Sequence, residues 1–323
     1  MSTTTVPAKH RSFDYKKFLA NNGALVGLVV LCLALFIATP DFLTAQNLLN
    51  IGIQVSTVAV LAFGMTFVIV AGGIDLSVGA VAALSAMSSG WMFASAGLPG
   101  WIALLGGLFV GALAGTINGL ANAYGKLPSF IATLAMLSVA RGLTLVISDG
   151  RPIKMPAEVS FLGGNLGPVP MPIIILVLAA LVASFLLNRT VIGRSMYAVG
   201  GNAEAARLSG LPVKRILVTV FALAGLFAAL AGLLLAGRLD SAQPQAAAGY
   251  ELDAIAAVVI GGASLAGGLG KISGTFVGAL VLVVIRNGLN LLNVTSFWQQ
   301  VVIGLVIALA VGVDVLRRKT RSS

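Results

Sequence analysis

Residues 188–215 read NRTVIGRSMYAVGGNAEAARLSGLPVKR, and long apolar runs lie on both sides of them. The stretch carries Arg189, Arg194, Arg207, Lys214 and Arg215 against one acid, Glu204. A basic loop between apolar runs of spanning length marks the cytoplasmic side of a membrane. Within it Asn202 is placed to cap a short helix, with Glu204 in the first turn facing the positive end of the helix dipole. Gly210 then stops that helix and Pro212 follows. The expectation is a short helix outside the bilayer, either docked on a cytoplasmic partner or simply part of a positive-inside loop.

The composition agrees with a membrane setting. Of 323 residues, 58% are hydrophobic and 9% charged, whereas soluble domains carry about 25% charged residues. The net charge of +10 does not point to nucleic acid, because the basic residues flank apolar runs instead of forming one patch. Cys32 is the single cysteine and His10 the single histidine, which excludes an intramolecular disulfide and histidine-based metal sites. No metal or other cofactor is expected.

Working outward, residues 1–17 form a polar, basic tail with Lys9, Arg11, Lys16 and Lys17. The apolar run 24–38 has the length of a cleaved leader's core, but Phe18 to Pro40 is uncharged and fits an uncleaved first span. Further runs at 50–71, 76–96, 101–124, 130–148, 171–187, 216–237, 252–268, 272–291 and 297–316 bring the total to about ten spans. The weakest is 252–268, short and broken by Gly261, Gly262, Gly267 and Gly268. The predicted fold class is all-α, a single polytopic membrane domain over 1–323 with both termini cytoplasmic. With that orientation the inside receives the basic tail, Lys126, the five cations of the central loop, Lys271 and the C-terminal tail 317–323 with Arg317, Arg318, Lys319 and Arg321. The outside receives only Arg151, Lys154 and Arg238.

Gly107, Gly111, Gly115, Asn118 and Asn122 share one arc of the fourth span, and Gly225, Ala229, Gly232 and Ala236 repeat the pattern on the seventh. The glycines read as close helix contacts. The two asparagine amides need partners at membrane depth and either line a polar path or bond a neighbouring helix. On the fifth span Ser129, Thr133, Arg141, Thr144 and Ser148 form a polar stripe. An arginine at span depth costs about 2.5–3.5 kcal/mol on insertion scales, so Arg141 and Arg286 face protein or water, or snorkel to the interface. Two glycine pairs echo each other, Gly72-Gly73-Ile74-Asp75-Leu76-Ser77 and Gly261-Gly262-Ala263-Ser264-Leu265-Ala266, as do Asn118-Gly119-Leu120 and Asn287-Gly288-Leu289. Glycine-broken apolar segments in matching halves point to a transport path, and chance is a rival in a chain with 39 glycines.

Catalytic constellations are missing from the sequence. Gly270-Lys271 hints at a phosphate-binding loop, but Leu265 stands where the first glycine is needed and Ile272 where Ser or Thr holds magnesium. Asp75, Glu251 and Asp253 flank glycine-rich breaks without a nucleophile or a metal cluster. An enzyme is not expected.

The segments AGGIDLSVGA (71–80), GKLPSFIATLAML (125–137), YAVGGNAEAARLSG (197–210), RLDSAQPQAAAGYELDAIAAVVIGGASLAGGLGKISGT (238–275) and RNGLNLL (286–292) together resemble the ribose-type sugar permeases, the membrane subunits of bacterial ATP-binding-cassette importers. The resemblance spans nearly the whole chain. It implies import of ribose or a related pentose across the bacterial inner membrane. Relatives with the same landmarks carry xylose, arabinose, galactose or inositol. It further implies a homodimer or a pair of related permeases, a cytoplasmic ATPase on separate chains and an extracytoplasmic sugar-binding protein. The coupling contact with the ATPase would then fall on Gly200, Gly201, Asn202, Glu204, Ala205, Ala206, Arg207 and Gly210, with Ala205 and Ala206 keeping the helix thin. Candidates for the translocation path are Asn118, Asn122, Thr133, Arg141, Asp75 and Arg286. Candidates for docking the binding protein are Arg151, Lys154, Arg238 and Asp240. A self-contained secondary transporter would need intramembrane acids, and here acids gather at span ends.

Overall fold

In the computed structural model the structure describes residues 23–322, the last helix as backbone beyond residue 309. The tail 1–17, the first residues of the expected first span and the side chains of the basic tail 317–323 lie outside the described residues. Among the described residues thirteen helices follow one another, beginning with α1 (Gly23–Ala38), α2 (Ala45–Val70), α3 (Val78–Ala94), α4 (Gly100–Ala123), α5 (Ser129–Ser148), α6 (Ala157–Gly163) and α7 (Met171–Arg189). After them come α8 (Val191–Gly201), α9 (Ala203–Leu208), α10 (Val213–Leu239), α11 (Tyr250–Ile260), α12 (Ile272–Leu291) and α13 (Ser296–Ser322). Six of them, α2, α4, α5, α7, α10 and α12, are long and apolar enough to cross a membrane, and α1, α3 and the start of α13 are shorter apolar helices. Two small antiparallel ladders interrupt the all-α expectation: β1 (Ile153–Lys154) with β4 (Ser241–Ala242), and β2 (Asn165–Leu166) with β3 (Val169–Pro170).

α2 is the axis of the bundle. Every residue from Val55 to Val70 is buried, as befits a helix that is apolar on all sides. α10, α12, α7 and α11 pack around it, and Phe67 meets Phe227 edge to face at 5.6 Å. The two glycine-faced helices of the sequence pack on each other. A Cβ added at Gly115 would strike the Phe221 carbonyl, and one at Gly225 the Gly111 carbonyl. At these two glycines no side chain fits between α4 and α10, and their backbones approach closely.

Contacts between distant loops sort the helix ends into two sets. At the first end Asn47 and Asn287 exchange amide hydrogen bonds of 3.0 and 2.7 Å, β1 pairs with β4, and Gly163 lies on the backbone of Arg238. At the second end Ser129 accepts from the Ile74 N–H, Lys214 sits 5.0 Å over the Tyr124 ring, and Gly72, Gly200 and Gly267 touch. The expected span 252–268 is the main departure from the sequence reading. Its helix, α11, ends at Ile260, and residues 261–271 form a compact loop at the second end. Eleven helical residues cover about 16 Å. The remaining distance to the first end is covered by the irregular residues 243–249, which turn back from β4 into the bundle.

Candidate functional site

The central loop folds as two helices where one was expected. Thr190 caps α8 by accepting from the Gly193 N–H. Asn202 caps α9, its Oδ1 accepting from the Ala205 N–H at 2.9 Å. α9 ends in a Schellman motif: the Gly210 N–H reaches the Arg207 carbonyl and the Leu211 N–H the Ala206 carbonyl, with Gly210 at φ +84°. The Arg207 guanidinium bonds Glu204 through two nitrogens, and this holds the Glu204 carboxyl below the usual range. One expectation is corrected here. Ala206 is buried in the chain's own core, so it does not thin an exposed surface, whereas Ala205 is exposed. The sequence reading also missed Leu208, 73% exposed at the end of α9. An isolated leucine in a basic loop was the available signal.

This loop is wedged into the bundle. Tyr197 of α8 donates to the Gly270 carbonyl at 2.6 Å, and burial pushes its phenol pKa up, which keeps the donor proton in place. A Cβ on Gly200 would strike the Val70 carbonyl and crowd the Gly268 N–H. That same N–H donates to Val70 at 2.9 Å. The end of α2, the end of α8 and the loop 261–271 therefore meet on bare backbone.

The expected path residues fall into two groups. Asp75, Asn118 and Thr133 converge on residues 74–77. The Asp75 carboxylate accepts from the Ser77 N–H (2.8 Å) and hydroxyl (2.6 Å), Asn118 donates to the Ser77 hydroxyl, and Thr133 accepts from the Leu76 N–H. Asn122 stands apart and closes the turn at Leu127. Both amides thus bond neighbouring chain. The second group surrounds the re-entering segment. Arg141 donates to the carbonyls of Pro244 (3.2 Å) and Ala246 (2.8 Å). Arg286 pairs with Asp253 at 2.8–2.9 Å and lies 5.9 Å from the Tyr250 ring centre. The polar stripe of α5 is thereby explained: its lower half holds 74–76 and its upper half holds 244–246.

The four docking candidates come together at the first end. Arg151 precedes β1 and Lys154 lies in it, paired with Ser241, and Arg238 and Asp240 precede its partner β4. Asp240 accepts from the Ser160 hydroxyl, and its carbonyl accepts from the Met155 N–H. All four are exposed. Arg238 also borders a cavity of about 140 Å³ with Gln54, Thr57, Tyr250 and Arg286. Among the described residues no group of acids, histidines or cysteines is arranged to hold a metal.

A bundle of apolar helices with polar groups turned inward, irregular re-entering backbone and a basic docked loop defines a multi-pass membrane permease. The chain belongs to the family described as branched-chain amino acid transport system / permease component, whose profile matches residues 47–311. Among curated relatives it is 46% identical to the ribose import permease protein RbsC of Bacillus subtilis, covering 97% of this chain and 98% of that one. It is 44% identical to the Escherichia coli protein of the same name, over 97% and 99%. It is 39% identical to the L-arabinose transport system permease protein AraH of Escherichia coli, over 99% and 98%. No solved structure matches the chain.

Proposed function

We propose that this chain is the membrane-spanning subunit of an ATP-driven importer of ribose or a related pentose in the bacterial cytoplasmic membrane. The relatives' names favour ribose, with arabinose second. The chain crosses about ten times, with 243–260 as one crossing and both termini inside. The basic second end, with Lys126, the central loop and Lys271, faces the cytoplasm. ATP is hydrolysed by a separate cytoplasmic chain, and an extracytoplasmic sugar-binding protein meets the Arg151–Lys154 and Arg238–Asp240 surface. Two copies, or this chain and a related permease, enclose the path.

The observation that carries the reading is the junction of Tyr197 and Gly200 with the loop 261–271. Movement imposed on α8 and α9 has a contact of backbone on backbone through which to reach α11 and its Arg286–Asp253 pair. α9 presents Glu204, Ala205, Arg207 and Leu208 outward, and an exposed apolar side chain beside charges suits a groove in a partner. The test is Leu208→Asp. The side chain touches little of its own chain, so the variant is expected to reach the membrane at wild-type levels. Co-purification of the ATPase should fall at least tenfold. Undiminished co-purification and sugar-stimulated ATP hydrolysis would remove α9 from the coupling contact.

A further inference from the structure

The cavity of about 140 Å³ lies among α2, α10, α11 and α12. Gln54, half-buried, and Thr57, buried, come from the axis helix α2, Arg238 from the end of α10, Tyr250 from the start of α11, and Arg286 from α12. Thr57 is only 5% exposed. The side chains of Gln54, Thr57, Tyr250 and Arg238 take no hydrogen-bond partner among the described residues, and their polar atoms are not sealed by packing. Elsewhere in this bundle Ser56 bonds Gly52, Thr66 bonds Thr275 and Asn47 bonds Asn287, whereas the Ser85 and Ser89 hydroxyls are unpartnered but sealed in the packing. Unpaired polar groups inside a membrane protein cost several kcal/mol unless water or a solute satisfies them.

We infer that this cavity is the pentose subsite of the translocation path, an inference that rests on the sugar-import reading above. Its volume, about 140 Å³, is well under the ~300 Å³ at which pockets for drug-sized ligands begin, which suits a small solute. The wall supplies what a sugar needs. The Gln54 amide and Thr57 hydroxyl each both donate and accept, matching a sugar hydroxyl that does the same. Arg286, held by Asp253, offers its remaining N–H donors in a fixed orientation. Tyr250 offers an aromatic face for the apolar C–H side of the ring. The two valines of the wall, Val58 and Val283, are too little apolar surface for a branched aliphatic side chain. The cavity therefore favours a polyol over the branched-chain amino acid of the family's description. Arg238 joins it to the Arg238–Asp240 surface, so solute released by a binding protein there has a direct way in.

The experiment is protection from thiol labelling. Cys32→Ser clears the background, and Gln54→Cys places a thiol on the cavity wall. The assembled permease–ATPase complex is labelled with a small methanethiosulfonate reagent, and modification of the permease chain is followed by intact mass. Saturating D-ribose should slow labelling at Gln54→Cys at least fivefold, L-leucine should not, and a control thiol at Asn165→Cys, on the exposed strand β2, should be unaffected by either. Thr57→Cys serves in the same way should the Gln54 variant fail to assemble. Unchanged labelling in ribose, in vesicles whose complete importer still takes up ribose, overturns the subsite and leaves the import reading standing. Protection by leucine, with uptake of leucine in place of ribose, overturns both.

Discussion

Glycine stops both α2 and α11 at the second end, and these two breaks begin identically and end differently. Both are Schellman stops. Gly72 and Gly73 donate to Ile69 and Val68, as Gly262 and Ala263 donate to Val259 and Val258, with Gly72 at φ +83° and Gly262 at +90°. The chain then leaves in different company. Residues 74–77 are held by side chains of Asp75, Asn118, Ser129 and Thr133. Residues 261–271 bond mostly to themselves, through Ser264, Leu269 and Gly267. Apart from the Thr275 hydroxyl at the start of α12, which bonds the Lys271 carbonyl, their side-chain tie among the described residues is Tyr197 of the central loop. The same helix stop thus makes one fixed joint and one joint governed by the element proposed to meet the ATPase.

The largest expected effect comes where the two joints touch. Gly200→Val puts a branched side chain against the Val70 carbonyl and the Gly268 N–H, both backbone atoms with nowhere to go. Overpacking costs about 1–3 kcal/mol, and more where the neighbours are rigid. The yield of folded permease and its thermal midpoint in detergent should both drop sharply. A Gly200→Val chain of wild-type stability would show that the two breaks are not clamped together.

A smaller loss separates the joints themselves. Asp75→Ala removes the acceptor for two short bonds and leaves the buried Ser77 hydroxyl poorly satisfied, which costs about 1–3 kcal/mol. Ser264→Ala in the second break removes a bond of 3.3 Å from the Ala266 N–H and should cost about 1 kcal/mol or less. Comparing the two melting midpoints sharpens the contrast. Equal losses would mean that the first break is no more firmly fixed than the second.

These differences were only partly legible in the sequence. Apolar runs located most helices closely: 272–291 matches α12, and 130–148 and 101–124 fall within a residue or so of α5 and α4. The glycine echo was real, but its register was off by one. Gly72 corresponds in conformation to Gly262 and not to Gly261, because what repeats is the left-handed residue after the helix. The asparagine echo is not part of the same relation, since Asn118 lies near the second end and Asn287 near the first. Residues 243–249 were invisible because irregular backbone within a bundle has no period. The stripe on α5 was seen, but its partners lie about a hundred residues away, at Pro244 and Ala246. The burial of Ala206 was hidden because six helical residues are too few turns to show a face.

The smallest structural change tests the contrast most directly. Tyr197→Phe keeps the ring and deletes one hydroxyl, so the chain loses a single hydrogen bond worth about 0.5–1.5 kcal/mol. Folding, membrane insertion and co-purification of the ATPase should be close to wild type, because α9 and its exposed face are untouched. The second break, however, loses its side-chain tie to the central loop and keeps only the backbone contacts at Gly200 and Gly268. If that tie transmits movement to α11, reconstituted importer should hydrolyse ATP at a near-normal rate while moving severalfold less sugar per ATP. A purely structural tyrosine predicts the opposite pattern, a lower yield of complex with an unchanged ratio. An unchanged yield together with an unchanged ratio would mean that the bare backbone junction carries the movement alone. The two breaks would then differ in rigidity but not in their part in transport.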